Sequence, residues 1–350
     1  MQRVGLVYDP RFLEHETGFH PECPERLLWA VEKLGDMGLW DSCQLVAPRT
    51  ATPEEVALFH DSRYIARVEA FSRAGGGLFC LDTAGSAGTY RAALLAVGGV
   101  LRAIEAACTG QFPSALCLVR PPGHHAGPAL GKGFCFFNNV VIGALWARQR
   151  FALERVLILD WDVHHGDGTQ DAFYADPGVL YFSWHQYPFY PYTGSWDECG
   201  TGAGLGYTVN VALPHGSTDE EYLLAFDRLL VPLANAYHPQ LVLVSTGYDA
   251  HFADQLGDMD VTASGFWALS SRTKELAASL GAPLVMVLEG GYSRQGMGWG
   301  VAATVAALAG LPLSGQEPFG PESSGVRTEV EMQIERSREK FCQIWGKLFT

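Results

Sequence analysis

The chain has 350 residues, 48% of them hydrophobic, which suffices for a large core in one α/β domain or two smaller ones. Its formal net charge is −14 (24 basic and 38 acidic side chains), which argues against direct nucleic-acid binding and is compatible with a basic substrate. Eight scattered cysteines without a C-x-x-C pair predict reduced thiols in a cytoplasmic protein, and no apolar run is long enough to predict a membrane span.

Apolar runs alternate with helical patterns over residues 1–312 without a long linker, which favours a single domain. Strands separated by helices predict parallel pairing, so the expected class is α/β, a central, mostly parallel sheet flanked by helices. Residues 313–350 are expected to form a Pro/Gly/Ser-rich connector and a helix from Glu329, which packs on the domain or at an interface in a homo-oligomer. The expected strands are 4–8, 115–119, 156–159, 179–183, 207–213, 241–245 and 283–288. Two helices are expected to begin at residues 24 and 52, and three more are expected to cover 89–108, 138–150 and 219–236. The last helix is expected to have Phe341, Ile344, Trp345 and Leu348 on one face.

The most informative stretch is Leu157-Ile-Leu-Asp-Trp-Asp-Val-His-His-Gly-Asp-Gly168. Here an apolar run typical of a buried strand is followed directly by a segment with five ionisable side chains. Burying so many ionisable groups requires compensation, which a metal ion supplies. Asp162 and His164 are two positions apart, so an extended segment directs both to the same face. Because catalytic zinc usually takes three protein ligands and keeps a position open, a third ligand is needed, and Asp249 follows another buried strand.

Other chemistry-bearing segments also follow expected strands. Arg120-Pro-Pro-Gly-His-His125 carries two adjacent histidines, which are either loop residues without chemistry or part of an active site. The loop 131–137 is rich in glycine and phenylalanine, and Glu289-Gly-Gly-Tyr292 ends the last clear strand. Since ligands bind at the carboxyl ends of strands in open parallel sheets, these segments are expected to converge. His15 and His20, on an early loop, are metal-ligand candidates or ordinary hydrogen-bonded histidines.

Taken together, the motifs resemble the zinc-dependent histone deacetylase family, whose wider superfamily includes acetylpolyamine amidohydrolases and acetoin-utilisation proteins on an arginase-like fold. The similarity covers about residues 3–310. The sequence resembles the class II and bacterial members of the family more than class I. The resemblance rests on Arg120-Pro-Pro-Gly-His-His125, Gly133-Phe-Cys-Phe-Phe-Asn-Asn139, Asp160-Trp-Asp-Val-His-His-Gly-Asp-Gly168, Thr246-Gly-Tyr-Asp249, Glu289-Gly-Gly-Tyr292 and, for the class, His20-Pro-Glu-Cys-Pro24.

The resemblance implies that Asp162, His164 and Asp249 bind Zn²⁺, in agreement with the site expected from the residues themselves. The same oxygen and nitrogen donors also accept Fe²⁺, which stays the alternative in the cell. The resemblance further implies a structural K⁺ site that includes Asp160 and Ser183.

It also implies the acid–base groups of an amide hydrolysis. His125 is expected to be the general base and then the acid toward the leaving amine, with His124 beside it. Asp167 and Asp160 are expected to hold the far ring nitrogens of His125 and His124, respectively. Tyr292 is expected to donate its hydroxyl to the developing oxyanion.

The implied substrate channel is narrow and suits a lysine stem. Phe134, preceded by Gly133, is expected to flank it opposite Tyr190 of the aromatic and proline-rich rim loop 187–192. At the position where some polyamine-specific relatives carry an acidic residue, this chain has Leu256.

The function expected from the resemblance is hydrolysis of ε-N-acetyl-lysine in proteins or peptides to lysine and acetate. Deacylation of acetylated polyamines is the alternative, since the long rim loop could restrict access to small substrates. A third possibility, from a different class, is a non-catalytic protein that only binds acyl ligands.

Overall fold

The computed structural model describes residues 3–315, 317–318, 320–321 and 325–346. Its strands are β1 (Val4–Val7), β2 (Cys43–Leu45), β3 (Gly76–Cys80), β4 (Thr83–Ser86), β5 (Ser114–Cys117), β6 (Val156–Asp160), β7 (Val179–Gln186), β8 (Thr208–Leu213), β9 (Leu241–Thr246) and β10 (Leu284–Leu288). Eight of them form one parallel sheet in the order β2-β1-β5-β10-β9-β6-β7-β8, while β3 and β4 form a separate antiparallel hairpin. The predicted α/β class with a central parallel sheet is confirmed.

Helices flank the central sheet and supply the rest of the core. They are α1 (Glu25–Asp36), α2 (Pro53–Val56), α3 (Ser62–Arg73), α4 (Thr89–Cys108), α5 (Asn139–Phe151), α6 (Asp167–Phe173), α7 (Asp219–Ala225), α8 (Val231–Tyr237), α9 (Ala263–Ser279), α10 (Arg294–Ala309) and α11 (Thr328–Trp345). None of the helices among the described residues is both long and apolar enough to cross a membrane.

The central strands determine where the candidate site lies. Strands β5, β10, β9 and β6 are consecutive neighbours in the sheet, and every residue in them is buried. Strands buried on both faces become continuous apolar runs, which explains why these four segments were recognisable in the sequence. Their carboxyl ends therefore lie side by side at one edge of the sheet, as expected.

Local sequence signals explain several helix ends. The capping box of Thr52 and Glu55 is present, with 3.3 Å from Glu55 N to Thr52 Oγ1, although α2 is only one turn long. The side chain of Asn138 caps α5 by accepting a hydrogen bond from Val141 N at 3.1 Å.

The helix predicted over 219–236 is present but is not a regular α-helix. A π-helical turn, Phe226–Leu230, separates α7 from α8. Pro232 lies in the first turn of α8 and has no N–H to donate, so the i→i−4 ladder cannot continue through it. The irregular turn is the local accommodation of that proline.

The last helix, α11, lies beside the edge strand β8 of its own chain. Gln333 Nε2 donates to Ala212 O at 2.6 Å, and Trp345 Nε1 donates to Gly206 O at 2.9 Å. Phe341 is buried, and Ile344 packs against the core. Leu348, expected on the same face, is outside the described residues.

Candidate active site

Three side chains after β6 and β9 form a compact group of metal-ligand type, called the ligand group below: Asp162, His164 and Asp249. One donor atom from each lies within 4.8 Å of the others. His164 Nδ1 is 3.1 Å from Asp162 Oδ1 and 3.2 Å from Asp249 Oδ2. Two carboxylates and one imidazole are donors that catalytic zinc accepts.

The backbone holds both carboxylates in place. Asp162 Oδ2 accepts a hydrogen bond from Gly290 N at 2.7 Å, and Asp249 Oδ1 accepts one from Val163 N at 2.9 Å. A Cβ atom at Gly290 would lie 2.0 Å from Asp249 Oδ2, so glycine is required for this close approach. The glycine pair after β10 thus allows the backbone to reach the ligand group.

The electrostatics of the ligand group fit a cation. Burial and the negative charge of Asp162 raise the pKa of Asp249 to about 7. Burial lowers the pKa of His164, but the hydrogen bond to Asp162 and the nearby carboxylate of Asp249 outweigh burial and raise that pKa to about 10. Asp249 Oδ2 is buried and accepts no hydrogen bond within the described parts of the chain. A buried carboxylate oxygen without a donor, beside a second carboxylate, suits a divalent metal ion.

Two histidine–aspartate pairs lie next to the ligand group. His124 Nδ1 is 3.1 Å from Asp160 Oδ2, and His125 Nδ1 is 2.9 Å from Asp167 Oδ1. Both rings are almost fully buried. Lys132 makes an ion pair with the other oxygen of Asp167. Each carboxylate fixes its histidine ring and leaves Nε2 free for other interactions.

The two histidines have different charge preferences. Burial lowers the pKa of His124, but the charges of Asp162 and Asp160 outweigh burial and raise that pKa well above its ordinary value. Burial, followed by the positive charge of His124, lowers the pKa of His125 to about 4. A neutral His125 whose Nδ1–H is donated to Asp167 has an unprotonated Nε2, which is the form that a general base requires.

A cavity of about 440 Å³ opens from these residues to the surface. Phe134 and Tyr292 face each other edge to face with 5.6 Å between ring centroids, and the Tyr190 ring lies 5.3 Å from that of His125. The lining contains the predicted site residues His125, Gly133, Phe134, His164, Tyr190, Leu256 and Tyr292. It also contains residues that were not predicted: Asp82, Phe189, Gln255, Gly257 and Asp258.

The aromatic walls are held by specific contacts. Phe189 stacks on His164 with 5.5 Å between centroids, whereas Tyr190 donates its hydroxyl to Asp82 Oδ2 at 3.1 Å. Asp82 Oδ1 accepts a hydrogen bond from Gly133 N at 3.1 Å. The Asp82 carboxylate therefore connects the wall that contains Gly133 with the wall that contains Tyr190. Gly133 has φ +55, and a Cβ there would lie 2.3 Å from the His125 ring. Only glycine fits this position.

Glu289 is an additional site residue whose role the sequence did not indicate. Its Oε2 accepts hydrogen bonds from Gly123 N at 2.6 Å and His124 N at 3.1 Å, and Ser245 Oγ donates to Oε1 at 3.1 Å. Burial raises the pKa of Glu289 to about 7. Its position directly after β10, inside a recognised motif, was the available signal.

A buried charge network supports the backbone before Tyr292. Glu22 accepts from Arg26 Nη1 at 2.9 Å and from Arg120 Nη2 at 2.7 Å. Arg26 also donates to the carbonyl oxygens of Glu289 and Gly291, each at 2.5 Å. These contacts satisfy carbonyl groups that the glycine-rich turn leaves unpaired.

The early-loop histidines are outside the ligand group. His15 is buried, with Nδ1 2.9 Å from Thr89 Oγ1. The His20 ring contacts Phe134 edge to face at 4.6 Å.

In the predicted potassium site, Asp160 and Ser183 are paired in register on β6 and β7. The Ser183 hydroxyl lies 2.8 Å from His185 Nδ1.

Comparison with known proteins agrees with the fold and shows the family. A model of the histone deacetylase domain matches residues 20–308. A probable deacetylase of Archaeoglobus fulgidus is 41% identical over 316 residues, which cover 89% of this chain and 88% of the relative. The crystal structure of the HDA15 HD domain superposes with a TM-score of 0.91 at 32% identity and covers 99% of this chain and 96% of that one.

The parallel sheet, with its polar cluster at the strand ends, thus defines an α/β protein of the arginase/deacetylase fold. This chain belongs to the histone deacetylase family. Human polyamine deacetylase HDAC10 is 40% identical over 349 residues, and histone deacetylase 15 of Arabidopsis thaliana is 36% identical over 341. These alignments cover 94% of this chain in both cases but only 50% and 61% of the relatives.

Proposed function

We propose that the protein is a zinc-dependent amidohydrolase that releases acetate from ε-N-acetyl-lysine in proteins or peptides. The observation that carries the proposal is the meeting of three parts at one cavity. The ligand group reaches the cavity through His164, the His125–Asp167 pair lies beside it, and Tyr292 forms part of the lining. Amide hydrolysis needs an activated water, a proton carrier and an oxyanion donor, and each has a candidate here.

The chain's own residues divide the reaction between them. A zinc or ferrous ion in the ligand group would act as a Lewis acid and lower the pKa of water. His125 Nε2 takes the proton of the attacking water and delivers it to the amine as the C–N bond breaks. Tyr292 donates a hydrogen bond to the oxyanion, an interaction typically worth about 3 kcal/mol. The products are the free amine and acetate.

Support for a polypeptide substrate comes from the cavity wall and its rim. Leu256 and Phe134 offer apolar contact to a four-carbon stem. Phe19 and Leu81 are apolar and fully exposed. Leu81 immediately precedes Asp82 of the lining, and Phe19 immediately precedes His20, whose ring contacts Phe134. Exposed apolar side chains near a channel suit contact with residues that flank the acetyl-lysine.

An acetylated polyamine is the second candidate substrate, because Asp82 and Asp258 in the lining would attract its ammonium groups. Three relatives are polyamine deacetylases by name, from Homo sapiens, Mus musculus and Danio rerio. This chain spans about half of their length. The relative rates on acetylspermidine and an acetyl-lysine peptide distinguish the two proposals.

Substitution of Tyr292 by phenylalanine tests whether the site is catalytic. We expect acetate release from an acetyl-lysine peptide to fall by roughly 100- to 1,000-fold, as for loss of an oxyanion donor, while bound metal stays unchanged. Tyr192→Phe is the matched control, since Tyr192 is exposed. A wild-type protein that binds the peptide but releases no acetate would support the non-catalytic alternative.

We also propose that potassium binds at Asp160 and Ser183 and that the protein acts in the cytoplasm. The adjacent positions of the two residues support the potassium site, and eight free cysteines suit a reducing compartment. Ser183→Ala is expected to reduce the stabilisation of the fold by potassium chloride relative to sodium chloride in thermal unfolding.

A further inference from the structure

Two charged side chains near the C-terminus reach back to one wall of the active-site cavity. This wall loop, residues 251–262, follows Asp249 and contributes residues 255–258 to the lining. The side chains are Glu317 and Arg327, and both follow residue 308, where the match to the family domain ends. Glu317 contacts the wall loop directly, whereas Arg327 contacts a turn that is hydrogen-bonded to Asp258 of the loop.

Glu317 bonds to residues at both ends of the wall loop. Its Oε1 lies 2.6 Å from His251 Nε2, and its Oε2 accepts a hydrogen bond from Ala263 N at 2.8 Å. The His251 side chain is fully buried, and its Nδ1 accepts a hydrogen bond from Ala253 N at 3.1 Å. The ring proton is therefore on Nε2, where it is donated to Glu317. One carboxylate thus ties the start of the wall loop to the start of α9.

Arg327 supports the lining part of the wall loop indirectly, through the short turn 215–217. Its Nη1 donates to His215 O at 2.9 Å, and its Nη2 donates to Ser217 Oγ at 2.7 Å. The same turn is hydrogen-bonded to the wall loop, because Gly216 N donates to Asp258 O at 2.6 Å. Bidentate contact with the buried Glu221, at 2.8 and 2.7 Å, fixes the guanidinium in this position.

We propose that Glu317 and Arg327 are positioning residues that hold the wall loop at the correct distance from Phe134 and Tyr190. The proposal deepens the proposed function, since it assigns the width of the substrate channel to the C-terminal segment. The ligand group is held by other contacts, such as that from Val163 N to Asp249. Loss of either anchor therefore widens the channel and leaves metal binding intact.

Hydrogen–deuterium exchange of the full-length protein tests the anchors without any substrate. The wall loop contains protected amides, because Phe252 N donates to Val261 O at 3.0 Å and Asp258 N donates to Gln186 Oε1 at 2.9 Å. Glu317→Ala and Arg327→Ala are expected to raise exchange in peptides covering 252–258 about five-fold, as for loss of one hydrogen bond. Peptides covering 156–165 should not change.

Matched controls come from exposed charges on α11. Glu339→Ala and Arg336→Ala remove one charge of each sign and should leave exchange in the wall loop unchanged. Glu317→Gln keeps one acceptor oxygen and should give a smaller increase than Glu317→Ala. Unchanged exchange at 252–258 in both anchor variants, or an equal rise over the whole chain, would overturn the proposal.

Kinetics then separate this proposal from the proposed function. On an acetyl-lysine peptide, Glu317→Ala and Arg327→Ala should raise KM about five-fold and lower kcat by a smaller factor, with bound zinc close to the wild-type value. Loss of bound zinc or an equal fall in kcat would overturn the positioning role. A wild-type protein without turnover would instead contradict the proposed function, and the exchange result would still decide about the anchors.

Discussion

The carboxylate of Asp254 accepts a hydrogen bond from the backbone N–H of Tyr292, with 2.6 Å between Oδ2 and N. Oδ2 also accepts from Ser293 N at 2.9 Å, and Oδ1 accepts from Leu256 N at 3.0 Å. Asp254 is 8% exposed, so these bonds are shielded from water. One buried side chain thus connects the proposed oxyanion donor to the cavity wall.

Replacement of Asp254 by asparagine should impair turnover more than binding. An amide nitrogen in place of one oxygen faces N–H groups, and the resulting repulsion displaces Tyr292 or Leu256. Misplacement of about 1 Å can cost roughly 100-fold, so we expect kcat on an acetyl-lysine peptide to fall 10- to 100-fold. Steady-state kinetics measure the effect, with the exposed Asp36→Asn as control. Wild-type kcat in Asp254→Asn would show that this contact does not position Tyr292.

Substitution of Leu256 should change substrate preference. A glutamate at this position would place a negative charge in the cavity lining and attract a second ammonium group of an acetylated polyamine. We expect Leu256→Glu to increase kcat/KM for acetylspermidine relative to an acetyl-lysine peptide by about 10-fold or more, equivalent to about 1.4 kcal/mol. Leu256→Met, which keeps the wall apolar, should leave the ratio unchanged. A ratio that does not move in Leu256→Glu would place substrate selection elsewhere.

Metal removal should destabilise the fold as well as abolish activity. Without a cation, the buried carboxylates of Asp162 and Asp249 repel each other, so a chelator should lower Tm and added zinc should restore it. In Asp249→Ala the repulsion and one ligand are both removed, so zinc should change Tm by much less. Differential scanning calorimetry with metal analysis measures both effects. An identical zinc response in wild type and Asp249→Ala would contradict the assignment of Asp249 as a ligand.

Protonation of His60 should lower the stability of the fold in mild acid. Its Nε2 accepts a hydrogen bond from Asn138 N at 2.9 Å, and burial lowers the pKa of His60 from 6.5 to about 4. Because the folded pKa is below the unfolded one, the contribution is present above pH 6.5 and is lost as pH falls toward about 4. Once the whole contribution of His60 is lost, the free energy of unfolding is lower by about 3 kcal/mol.

The pH dependence of unfolding isolates this contribution. His60→Gln offers an oxygen acceptor that does not protonate, so its free energy of unfolding should fall less than that of wild type between pH 6.5 and 4. Urea unfolding at several pH values measures the difference, and the exposed His215→Gln serves as the control. Parallel stability profiles for wild type and His60→Gln would exclude His60 as the titrating group.

Much of the central sheet could be predicted because its strands are buried on both faces. The run at 156–159 is apolar throughout, the run at 241–245 is apolar up to Ser245, and the structure extends each by one residue. Sheet order could not be predicted in the same way. Strand β5 pairs with β10 across a large sequence separation, with Ser114 opposite Leu284, and no local pattern encodes that partner.

Helices α3, α6, α9 and α10 were not among the predicted elements. Helix α10 contains Gly296, Gly298 and Gly300, residues that locally disfavour a helix, yet nearly all of it is buried. The tight packing explains the glycines, since a Cβ at Gly300 would lie 2.3 Å from the Tyr248 ring. Tertiary packing therefore overrides the local preference, and composition alone cannot reveal this.

The candidate site divides in a similar way. Residues directly after strands, such as Asp162 and Tyr292, could be proposed from motifs and their resemblance to a family. Asp82 could not, because it lies between β3 and β4, a hairpin that was not among the predicted elements. Its contacts with Gly133 and Tyr190 join segments far apart in the chain, so they become visible only in the folded structure.

The central claim is that the site hydrolyses acetyl-lysine, and a side-by-side rate assay tests it most directly. Zinc-loaded protein is given an acetyl-lysine peptide and acetylspermidine in parallel, and acetate release is measured, with Asp249→Ala as control. We predict that the peptide is cleaved faster and that Asp249→Ala is inactive on both substrates. Faster cleavage of acetylspermidine would contradict the substrate proposal, and undiminished activity of Asp249→Ala would contradict the metal-dependent mechanism.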